Sequence, residues 1–318
     1  MKVSACRSAA LGVFLTGWAW AESPAVTARL DAAAQTVRVE IEGSLFTELI
    51  YGGQAKPVLF PIVGPGGVAM VRQWPLRPAA PDEEQDHPHH KGMWFTHGSV
   101  DGVDFWKEGP DAGRIAVQGV PKIVPVAEGV MLQTRESWQK PDGAVVLTSA
   151  TEITCGAEGE DRFIDYAITL MAGERPVVFG DTKEGSMGLR TSAWLNLKGA
   201  GARGQALTSE GKTGLEVWGT AAKWIDYSAV LDGGAVGVAC FDHPDNLRHP
   251  TTWHARDYGL VAANPFGLHD FQKKPKGAGD YVLKPEAPLR LRYRWLFHRG
   301  DAGAARLGER WKAWAGRR

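Results

Sequence analysis

Residues 86–106 carry an unusual concentration of side chains that can do chemistry. The run holds four of the nine histidines of the chain, together with three aspartates and two tryptophans. A strand that only packs in a core does not need so many titratable groups, whereas functional sites gather them. We therefore interpret this run as one wall of a polar, aromatic-lined site.

Three kinds of chemistry fit these histidines. Neutral imidazoles two residues apart suit Zn²⁺ or a similar divalent cation, which makes His87 and His89 the candidate metal ligands. A histidine also titrates near neutral pH and can act as a general acid or base. The third possibility is a sugar-binding surface without catalysis. The structural alternative is a loop that caps sheet edges and hydrogen-bonds to the backbone.

The sequence also predicts how the histidine loop is oriented. Pro88 favours extended backbone at the preceding residue, because its ring crowds the helical conformation there. In extended backbone, side chains two residues apart point the same way. We therefore expect His87 and His89 to share one side of the loop, and His90 either to point to the other side or to lie where the loop turns.

A strand is predicted directly after this loop. Residues 93–97 should place Trp94 and His97 on opposite faces, because successive side chains of a strand alternate. After a turn at Asp101-Gly102, Asp104 and Trp106 share a face at positions i and i+2. The run therefore combines a loop and short extended segments.

Two further segments are rich in polar side chains. Residues 181–190 offer charged groups in a glycine-bearing loop, although a solvated charged turn would have the same composition. Residues 241–267 contain three of the five remaining histidines, interleaved with aromatic and charged residues. If these segments converge with residues 86–106, one concave pocket would offer aromatic rings to the apolar faces of a sugar and charged groups to its hydroxyls.

Side-chain chemistry divides the residues of these segments by role. The candidate catalytic residues, which could exchange protons with a substrate, are His90, His97, His254, Asp181, Glu184 and Asp257. The candidate substrate-binding residues are His87, His89, Trp94, Asp104, Trp106, Lys183, Arg190, Trp253, Arg256 and Asn264. The sequence requires no cofactor, although a divalent metal fits the histidines.

The overall composition excludes several classes of protein. Lys and Arg together number 36, as do Asp and Glu, so no global field favours nucleic acid or anionic lipid. Beyond the N-terminal segment, only Cys155 and Cys240 remain, and the sequence permits either a disulfide or two buried thiols. Neither belongs to a CxxC pair, which argues against redox chemistry.

The N-terminus is predicted to be a signal peptide that spans residues 1–21. Lys2 and Arg7 flank its start, an apolar run follows, and Ala19-Trp20-Ala21 matches a small-x-small cleavage site. The apolar run is about 13 residues long, whereas a membrane span needs ~20. We therefore expect cleavage after Ala21 and a periplasmic or secreted protein without a membrane span in the mature chain.

Strand patterns dominate the rest of the chain. Residues 36–42 alternate apolar and polar side chains with a period of two, and similar stretches recur between glycine- and proline-rich turns. Further strands are predicted at residues 68–74 and 189–197, among others. Many short strands with almost no helix indicate an all-β protein, most simply a large antiparallel β-sandwich.

One helix is predicted, at residues 301–314. Leu307, Trp311 and Trp314 fall on one face of a 3.6-residue period, so this helix should pack its tryptophans against a sheet. No internal repeat, low-complexity tract or linker interrupts residues 22–318. We therefore expect a single domain after the signal peptide.

Together these motifs resemble the PmoA-like family, which is labelled methane oxygenase PmoA and is otherwise a domain of unknown function. The resemblance rests on residues 86–98, 101–106, 181–185 and 253–267, in that order, and covers essentially the whole mature chain. A methane monooxygenase subunit has several apolar membrane helices, so that activity is not expected here. The resemblance implies an exported bacterial protein with a supersandwich similar to galactose mutarotase and certain polysaccharide lyases.

The sequence thus predicts an exported carbohydrate-active protein, and we favour an enzyme. Hydrolysis, β-elimination and epimerisation of a sugar all fit acid–base chemistry by histidines and carboxylates. The alternatives are a carbohydrate-binding module without catalysis and a metal-dependent hydrolase. The expected partner is a carbohydrate or another polar small molecule, not nucleic acid, and the sequence leaves the oligomeric state open.

Overall fold

The fold is built almost entirely of strands. The computed structural model describes Met1 and residues 25–317, so the predicted signal peptide beyond Met1 lies outside the described residues. The strands are β1 (Val26–Asp31), β2 (Thr36–Ile41), β3 (Ser44–Ile50), β4 (Val58–Ile62), β5 (Met93–His97), β6 (Arg114–Val117), β7 (Lys122–Val126), β8 (Gly129–Gln139), β9 (Val145–Glu158), β10 (Asp161–Ala172), β11 (Val177–Phe179), β12 (Gly185–Arg190), β13 (Gln205–Thr208), β14 (Trp224–Leu231), β15 (Gly234–Asp242), β16 (Thr252–Ala255), β17 (Leu260–Asn264), β18 (Tyr281–Leu283) and β19 (Leu289–Arg299). The α-helices are α1 (Leu268–Gln272) and α2 (Leu307–Ala315).

Two large antiparallel sheets hold most of these strands. The eight-stranded sheet has the order β1-β2-β3-β4-β5-β12-β17-β16. The nine-stranded sheet has the order β13-β14-β15-β19-β10-β9-β8-β6, with β7 also paired to β8. Strands β11 and β18 form a separate pair. The predicted large antiparallel β-sandwich with a C-terminal helix is confirmed.

The two sheets pack face to face because their strands alternate apolar and polar side chains. In β2, Val37 and Val39 are buried in the core, while Arg38 between them pairs with glutamates on the other face. Across the sandwich, the Phe95 ring of β5 meets the Trp138 ring of β8 edge-on at 6.3 Å. Losing such a buried tryptophan costs ~3–5 kcal/mol, so this layer contributes much of the stability.

The C-terminal helix is shorter than predicted. Helix α2 begins at Leu307 because the Asp301 carboxylate and carbonyl accept the amides of Ala304 and Ala305, which closes a turn in front of it. Arg306, with φ of 53°, then turns the chain into the helix. The predicted face is right, since Leu307 and Trp314 are buried against the nine-stranded sheet. The short helix α1 was not predicted.

Two predicted strands are wrong in part. Residues 68–74 make only single bridges at Ala69 and Val71. The predicted strand at residues 189–197 ends at Arg190, because the Ser192 hydroxyl turns to donate to the carbonyls of Ala69 and Val71. Polar groups of residues 68–74 and of residues 191–197 therefore hydrogen-bond to each other instead of extending a strand.

Strand β12 starts earlier than the sequence indicated, at Gly185. Its glycines hide the strand pattern, since glycine is a poor strand former. The structure explains one of them: a Cβ on Gly188 would lie 2.9 Å from the Trp94 ring on the neighbouring strand. Glycine at this position lets the indole lie flat across the sheet.

The two cysteines of the described residues are free thiols. Cys155 on β9 and Cys240 on β15 are buried, and burial raises the pKa of each thiol. The structure therefore favours the second of the two alternatives that the sequence left open. No helix within the described part of the chain combines the length and the apolar character needed to cross a membrane.

Candidate functional site

Residues 86–106, 181–190 and 248–267 meet on the outer face of the eight-stranded sheet. Trp94, Gly188 and Ala262 are registered neighbours there on β5, β12 and β17, and they point away from the inter-sheet core. A cleft of about 390 Å³ opens above them. Its lining residues are His87, His89, His90, Trp106, Lys107, Lys183, Glu184, His254, Arg256 and Tyr258.

A buried arginine organises the histidine loop. The Arg72 guanidinium donates to the backbone carbonyls of Glu84, Asp86, His87 and His90 at 2.9–3.2 Å. It also donates to the Asp86 carboxylate at 2.6 Å. Burial, with the nearby Arg190 charge, lowers the pKa of Arg72 to about 10, so the side chain keeps its charge at neutral pH. The loop is therefore wrapped around a fixed cation.

The shared side predicted for His87 and His89 is wrong, whereas the loop does turn before His90, which was one of the two alternatives. His87 has φ of 45°, in the left-handed region, rather than extended backbone. The His87 and His90 rings are parallel at 4.9 Å with 2° between their planes, while the His89 ring stands edge-on to them. The preference set by Pro88 is outweighed because Arg72 binds the carbonyls of both His87 and His90 and holds a turn between them. A left-handed non-glycine residue costs roughly 1–3 kcal/mol, and such strain clusters at functional sites.

The parallel rings extend into a stack of four. Tyr258 lies over His87 at 5.2 Å with 9° between the planes, and His90 lies over Trp94 at 5.4 Å with 17°. The Arg190 guanidinium covers the Tyr258 ring at 4.6 Å. The stack runs from the rim of the cleft down to the sheet, and it fixes the direction in which each imidazole edge points.

Asp86 and His87 form an acid–base pair at the rim. His87 Nδ1 lies 2.5 Å from Asp86 Oδ2, and the other carboxylate oxygen accepts from Arg72 and from Arg190 at 2.7 Å. Burial alone would raise the pKa of Asp86, but Arg190, His87 and Arg72 outweigh it and lower that pKa. An ionised carboxylate can only accept, so the His87 proton sits on Nδ1. Nε2 makes no hydrogen bond to the described residues, and the His87 side chain is 42% exposed.

His90 is held as a neutral hydrogen-bond donor. Arg190 Nη1 lies 3.3 Å from His90 Nδ1, and a guanidinium can only donate, so a neutral His90 carries its proton on Nε2. Burial, with the charge of Arg190, lowers the pKa of His90 well below its usual value. Its Nε2 is buried and has no partner among the described residues. It is a donor without an acceptor.

The other two imidazoles of the cleft are also neutral. Burial, together with the Arg256 and Lys183 charges, lowers the pKa of His254 to about 3. Burial and the Lys56 charge lower the pKa of His89 to about 4. His254 Nδ1, like His90 Nε2, is buried without a hydrogen-bond partner in the described chain. At neutral pH these rings therefore offer hydrogen bonds to a ligand rather than charge.

The predicted aromatic platforms are not open to a ligand. Trp94, Trp106 and Trp253 are each at most 1% exposed. Trp253 lies in the inter-sheet core and donates from Nε1 to the Ala222 carbonyl at 3.0 Å. Only Trp106 contributes to the wall of the cleft. The surface that a ligand meets is therefore mainly imidazole, amine and guanidinium.

Two of the predicted catalytic residues, His97 and Asp181, lie away from the cleft. His97 points to the inner face of the sheet, where its ring contacts Phe266 at 4.7 Å and its Nε2 donates to the Gly180 carbonyl at 2.8 Å. The Asp181 carboxylate accepts the amides of His269 and Gly279, which ties loops together. Both side chains are occupied by structural hydrogen bonds, because the strand alternation and the loop path aim them away from the cleft.

Three more predicted residues, Asp104, Asn264 and Asp257, do not line the cleft either. Asp104 accepts the amides of Trp106 and Lys107, which fixes the loop that carries them. Asn264 donates to the carbonyls of Thr182 and Lys183, so it positions the opposite wall. Asp257 takes part through its carbonyl, which accepts the amides of Leu197 and Lys198. Asp104 and Asn264 thus shape the cleft without facing a ligand.

Sequence reasoning missed four residues of the site: Asp86, Arg72, Lys107 and Tyr258. Asp86 directly precedes the histidines, so a search for an acidic neighbour of each histidine would have found it. Tyr258 follows His254 and Arg256 at the same two-residue spacing, which also gave a signal. Arg72 lay in a segment predicted as a strand, and nothing in the sequence indicates that its side chain enters the loop.

The metal interpretation fits this geometry poorly. The candidate ligands His87 and His89 have ring centroids 5.9 Å apart and planes inclined by 75°. Among the described residues, no cluster of three or more His, Cys, Asp or Glu side chains is arranged to hold a metal ion. His87 Nδ1 already binds Asp86, and the Arg190 guanidinium beside His90 would repel a second cation.

The family assignment follows from a match to residues 36–312. The chain belongs to the family of unknown function DUF6807. The prediction of a domain of unknown function is therefore confirmed. The resemblance to the PmoA-like family is not supported, because the family that matches is a different one by description. No curated protein matches the sequence.

Distant similarities to solved structures include carbohydrate-active enzymes. A polysaccharide lyase is 13% identical, with 89% of this chain and 34% of the lyase covered and a TM-score of 0.33. A protein of Synechocystis sp. PCC 6803 is 10% identical, with 88% and 97% covered and a TM-score of 0.34. An alpha-galactosidase of Lactobacillus brevis is 9% identical, with 86% and 39% covered and a TM-score of 0.32. This chain therefore spans only about a third of the length of the lyase it matches.

Proposed function

We propose that the protein is an exported carbohydrate-active enzyme that moves a proton on a bound sugar through the Asp86–His87 pair. The observation that carries the proposal is the position of this pair at the rim of a cleft lined by histidines and cations. His87 keeps one nitrogen bound to an ionised carboxylate, and its other nitrogen is free. A carboxylate in this position orients an imidazole and stabilises the imidazolium that forms when it takes a proton.

The remaining cleft residues would hold the sugar. His90 Nε2–H is a neutral donor without a partner in the described chain, and it suits an oxygen that gains negative charge during the reaction. Lys183, Arg256 and Glu184 can bind hydroxyl or charged groups at the opposite wall. A cleft of about 390 Å³ lies at the small end of the ~300–1,000 Å³ usual for ligand sites, so one or two sugar rings fit.

Turnover of a panel of neutral and acidic oligosaccharides, followed by mass spectrometry, tests the proposal. The informative variant is His87→Asn, because asparagine tolerates left-handed backbone and lacks the imidazole. We expect the wild-type protein to form a product and His87→Asn to lose that turnover by about 10²–10⁴-fold. Equal turnover by both proteins would refute the role of His87, and binding without turnover across the panel would favour a carbohydrate-binding module.

Two accompanying measurements test the other parts of the proposal. Activity that survives chelation, in protein purified without a histidine tag and free of bound metal, would separate this mechanism from a metal-dependent hydrolase. Expression of the full chain followed by N-terminal sequencing of the exported protein tests the signal peptide, and we expect the mature chain to begin at Glu22.

A further inference from the structure

The cleft carries an excess of positive charge. Its lining contains three cations, Lys107, Lys183 and Arg256, against one carboxylate, Glu184. The three imidazoles with lowered pKa values add no charge at neutral pH. Asp104, whose carboxylate lies 3.9 Å from Lys107 Nζ, offsets only the most exposed of these cations. The lining by itself therefore has a formal charge of about +2 at neutral pH.

Further positive charge lies on buried side chains behind the residues that line the cleft. Arg72 and Arg190, both buried, share the single carboxylate of Asp86 at 2.6 and 2.7 Å. Lys56 and Lys91 share the single carboxylate of Glu108 at 2.8 and 2.5 Å. Each of these two clusters thus has two cations around one directly paired carboxylate, and Glu83, Glu84 and Asp104 act on the same cations from further away. Buried charges are screened weakly by salt, so these cations contribute to the potential in the cleft.

The cleft offers little else that could bind a sugar strongly. Trp94 and Trp106 are each 1% exposed, and the His87 ring already stacks with the Tyr258 and His90 rings. Stacking of a neutral pyranose on an open aromatic face is therefore not available from these rings. Charge and directed hydrogen bonds are the dominant attractions that remain.

We infer that this cleft binds a sugar that carries a carboxylate, a uronate residue of an oligosaccharide, and cleaves it by β-elimination. The inference rests on the proposed function and names its substrate class and reaction. Arg256 and Lys183 are the groups that would hold the carboxylate, because a guanidinium and an amine both make charge-assisted hydrogen bonds to it. His90 Nε2–H is the donor that would bind the carboxylate oxygen as negative charge develops there.

The reaction needs only groups that the cleft supplies. His87 Nε2 takes the proton from C5, which is acidified by the neighbouring carboxylate once cations neutralise that carboxylate. The electron pair of the C5–H bond forms the C4=C5 double bond, and the bond from C4 to the glycosidic oxygen breaks. The departing oxygen then takes the proton from the His87 imidazolium. No oxidant, reductant or water is consumed, and His87 returns to its starting state.

Binding of D-glucuronate, compared with D-glucose, tests the substrate class. The chain offers a matched pair of lysines: Lys183 lies 3.2 Å from Glu184 and is 42% exposed, and Lys212 lies 3.3 Å from Glu216 and is 51% exposed. We expect Lys183→Gln to weaken glucuronate binding by about tenfold, and Lys212→Gln to leave it unchanged. Added salt should weaken glucuronate binding and leave glucose binding nearly unchanged. Equal affinity for the two sugars would overturn the inference.

Turnover of oligoglucuronate and oligogalacturonate tests the reaction. Elimination creates a double bond conjugated with the carboxylate, so we expect a gain of ultraviolet absorbance that His87→Asn abolishes and Lys212→Gln retains. Turnover of a neutral oligosaccharide that depends on His87, with no reaction of the uronates, would overturn this inference and leave the proposed function standing. Hydrolysis of a uronate without the absorbance change would overturn the elimination alone. Absence of any turnover that depends on His87 would overturn both.

Discussion

Among the described residues, three pairs of aspartate and histidine lie within 3 Å of each other in different surroundings. Asp86–His87 in the cleft, Asp242–His249 beside helix α2 and Asp226–His298 inside the nine-stranded sheet have N–O distances of 2.5, 2.6 and 2.8 Å. The His87 side chain is 42% exposed, that of His249 is 16% exposed, and that of His298 is fully buried. The same kind of aspartate–histidine pair thus occurs at three different degrees of burial.

The surroundings of each histidine distinguish the three pairs. His298 Nδ1 lies 3.3 Å from the Arg299 carbonyl, so both ring nitrogens have partners. His249 is stacked flat on Trp311 at 5.9 Å, and Trp311 in turn donates to the Asp242 carbonyl. Only His87 among the three lines a cleft with cations and neutral imidazoles around it. An aspartate–histidine pair therefore suggests catalysis only where the second nitrogen can reach a ligand.

The largest expected effect comes from removing the carboxylate of one pair at a time. Asp86→Asn should lower turnover by about 10²–10⁴-fold, because the imidazolium of His87 loses the charge that stabilises it. Asp242→Asn should change turnover by less than about twofold, because its histidine lies under helix α2. Steady-state kinetics of the two variants on the same substrate make the comparison.

Urea unfolding of the same two proteins provides the control. Asp86 also binds Arg72 and Arg190, so Asp86→Asn should lose some stability while remaining folded at the assay temperature. If Asp242→Asn loses as much turnover as Asp86→Asn at equal folded fraction, the contrast between the two pairs is wrong.

The second expected effect concerns the buried pair Asp226–His298. Here we expect a change in stability and none in turnover. Asp226→Ala removes the partner of a fully buried imidazole and leaves Ser228 without its acceptor. Breaking a buried pair in this way costs roughly 3–5 kcal/mol of the free energy of unfolding. Denaturant titration measures this loss, and Km and kcat of the folded protein should stay unchanged. If the free energy of unfolding falls by less than about 1 kcal/mol, the buried pair contributes no more than a surface ion pair does, and this prediction is wrong.

The third expected effect is on how the free energy of unfolding depends on pH. The dependence has one sign for His298 in the nine-stranded sheet and the opposite sign for His90 and His254 in the cleft. Burial lowers the pKa of His298, but Asp226 outweighs it and raises that pKa above its usual value. Its contribution to stability is full below about pH 6.5 and is lost as the pH rises through the folded pKa. The pKa values of His90 and His254 are lowered, so their contribution to stability changes with pH in the opposite direction. Their contribution is full above about pH 6.5 and is lost as the pH falls toward their folded values.

Unfolding free energies measured against pH test these signs. The difference between wild type and His298→Gln should shrink as the pH rises above about 6.5. The difference between wild type and His254→Phe should shrink as the pH falls below it. If both differences change in the same direction, one of the two histidines is in a protonation state other than the one described.

The smallest effect is expected from Tyr258→Phe. The phenylalanine ring keeps the stacking on His87 and the contact with the Arg190 guanidinium, and only the hydroxyl is lost. Turnover should fall by less than about tenfold, because the proposed proton transfers run through His87. A loss as large as that of Asp86→Asn would show that the phenol itself supplies or removes a proton.

Much of the fold could be predicted because it depends on local pattern. The alternation in residues 36–42 became strand β2 with Val37 and Val39 buried, and the face shared by Leu307 and Trp314 became the buried side of helix α2. The predictions for residues 68–74 and 189–197 were partly wrong. There, polar groups of distant segments bind each other, as Ser192 does with the carbonyls of Ala69 and Val71.

By itself, the sequence determined the sandwich class and the three segments that line the cleft, because alternation, turn residues and clusters of titratable groups are local properties. Only the tertiary structure decided which members of those segments face the cleft. The packing of the two sheets decided that the strand face with His97, opposite to that of Trp94, points into the core, and hydrogen bonds from Arg72, a residue outside all three segments, turned His87 over. Orientation and proton position depend on partners far away in sequence, and residues 86–106 alone cannot specify them.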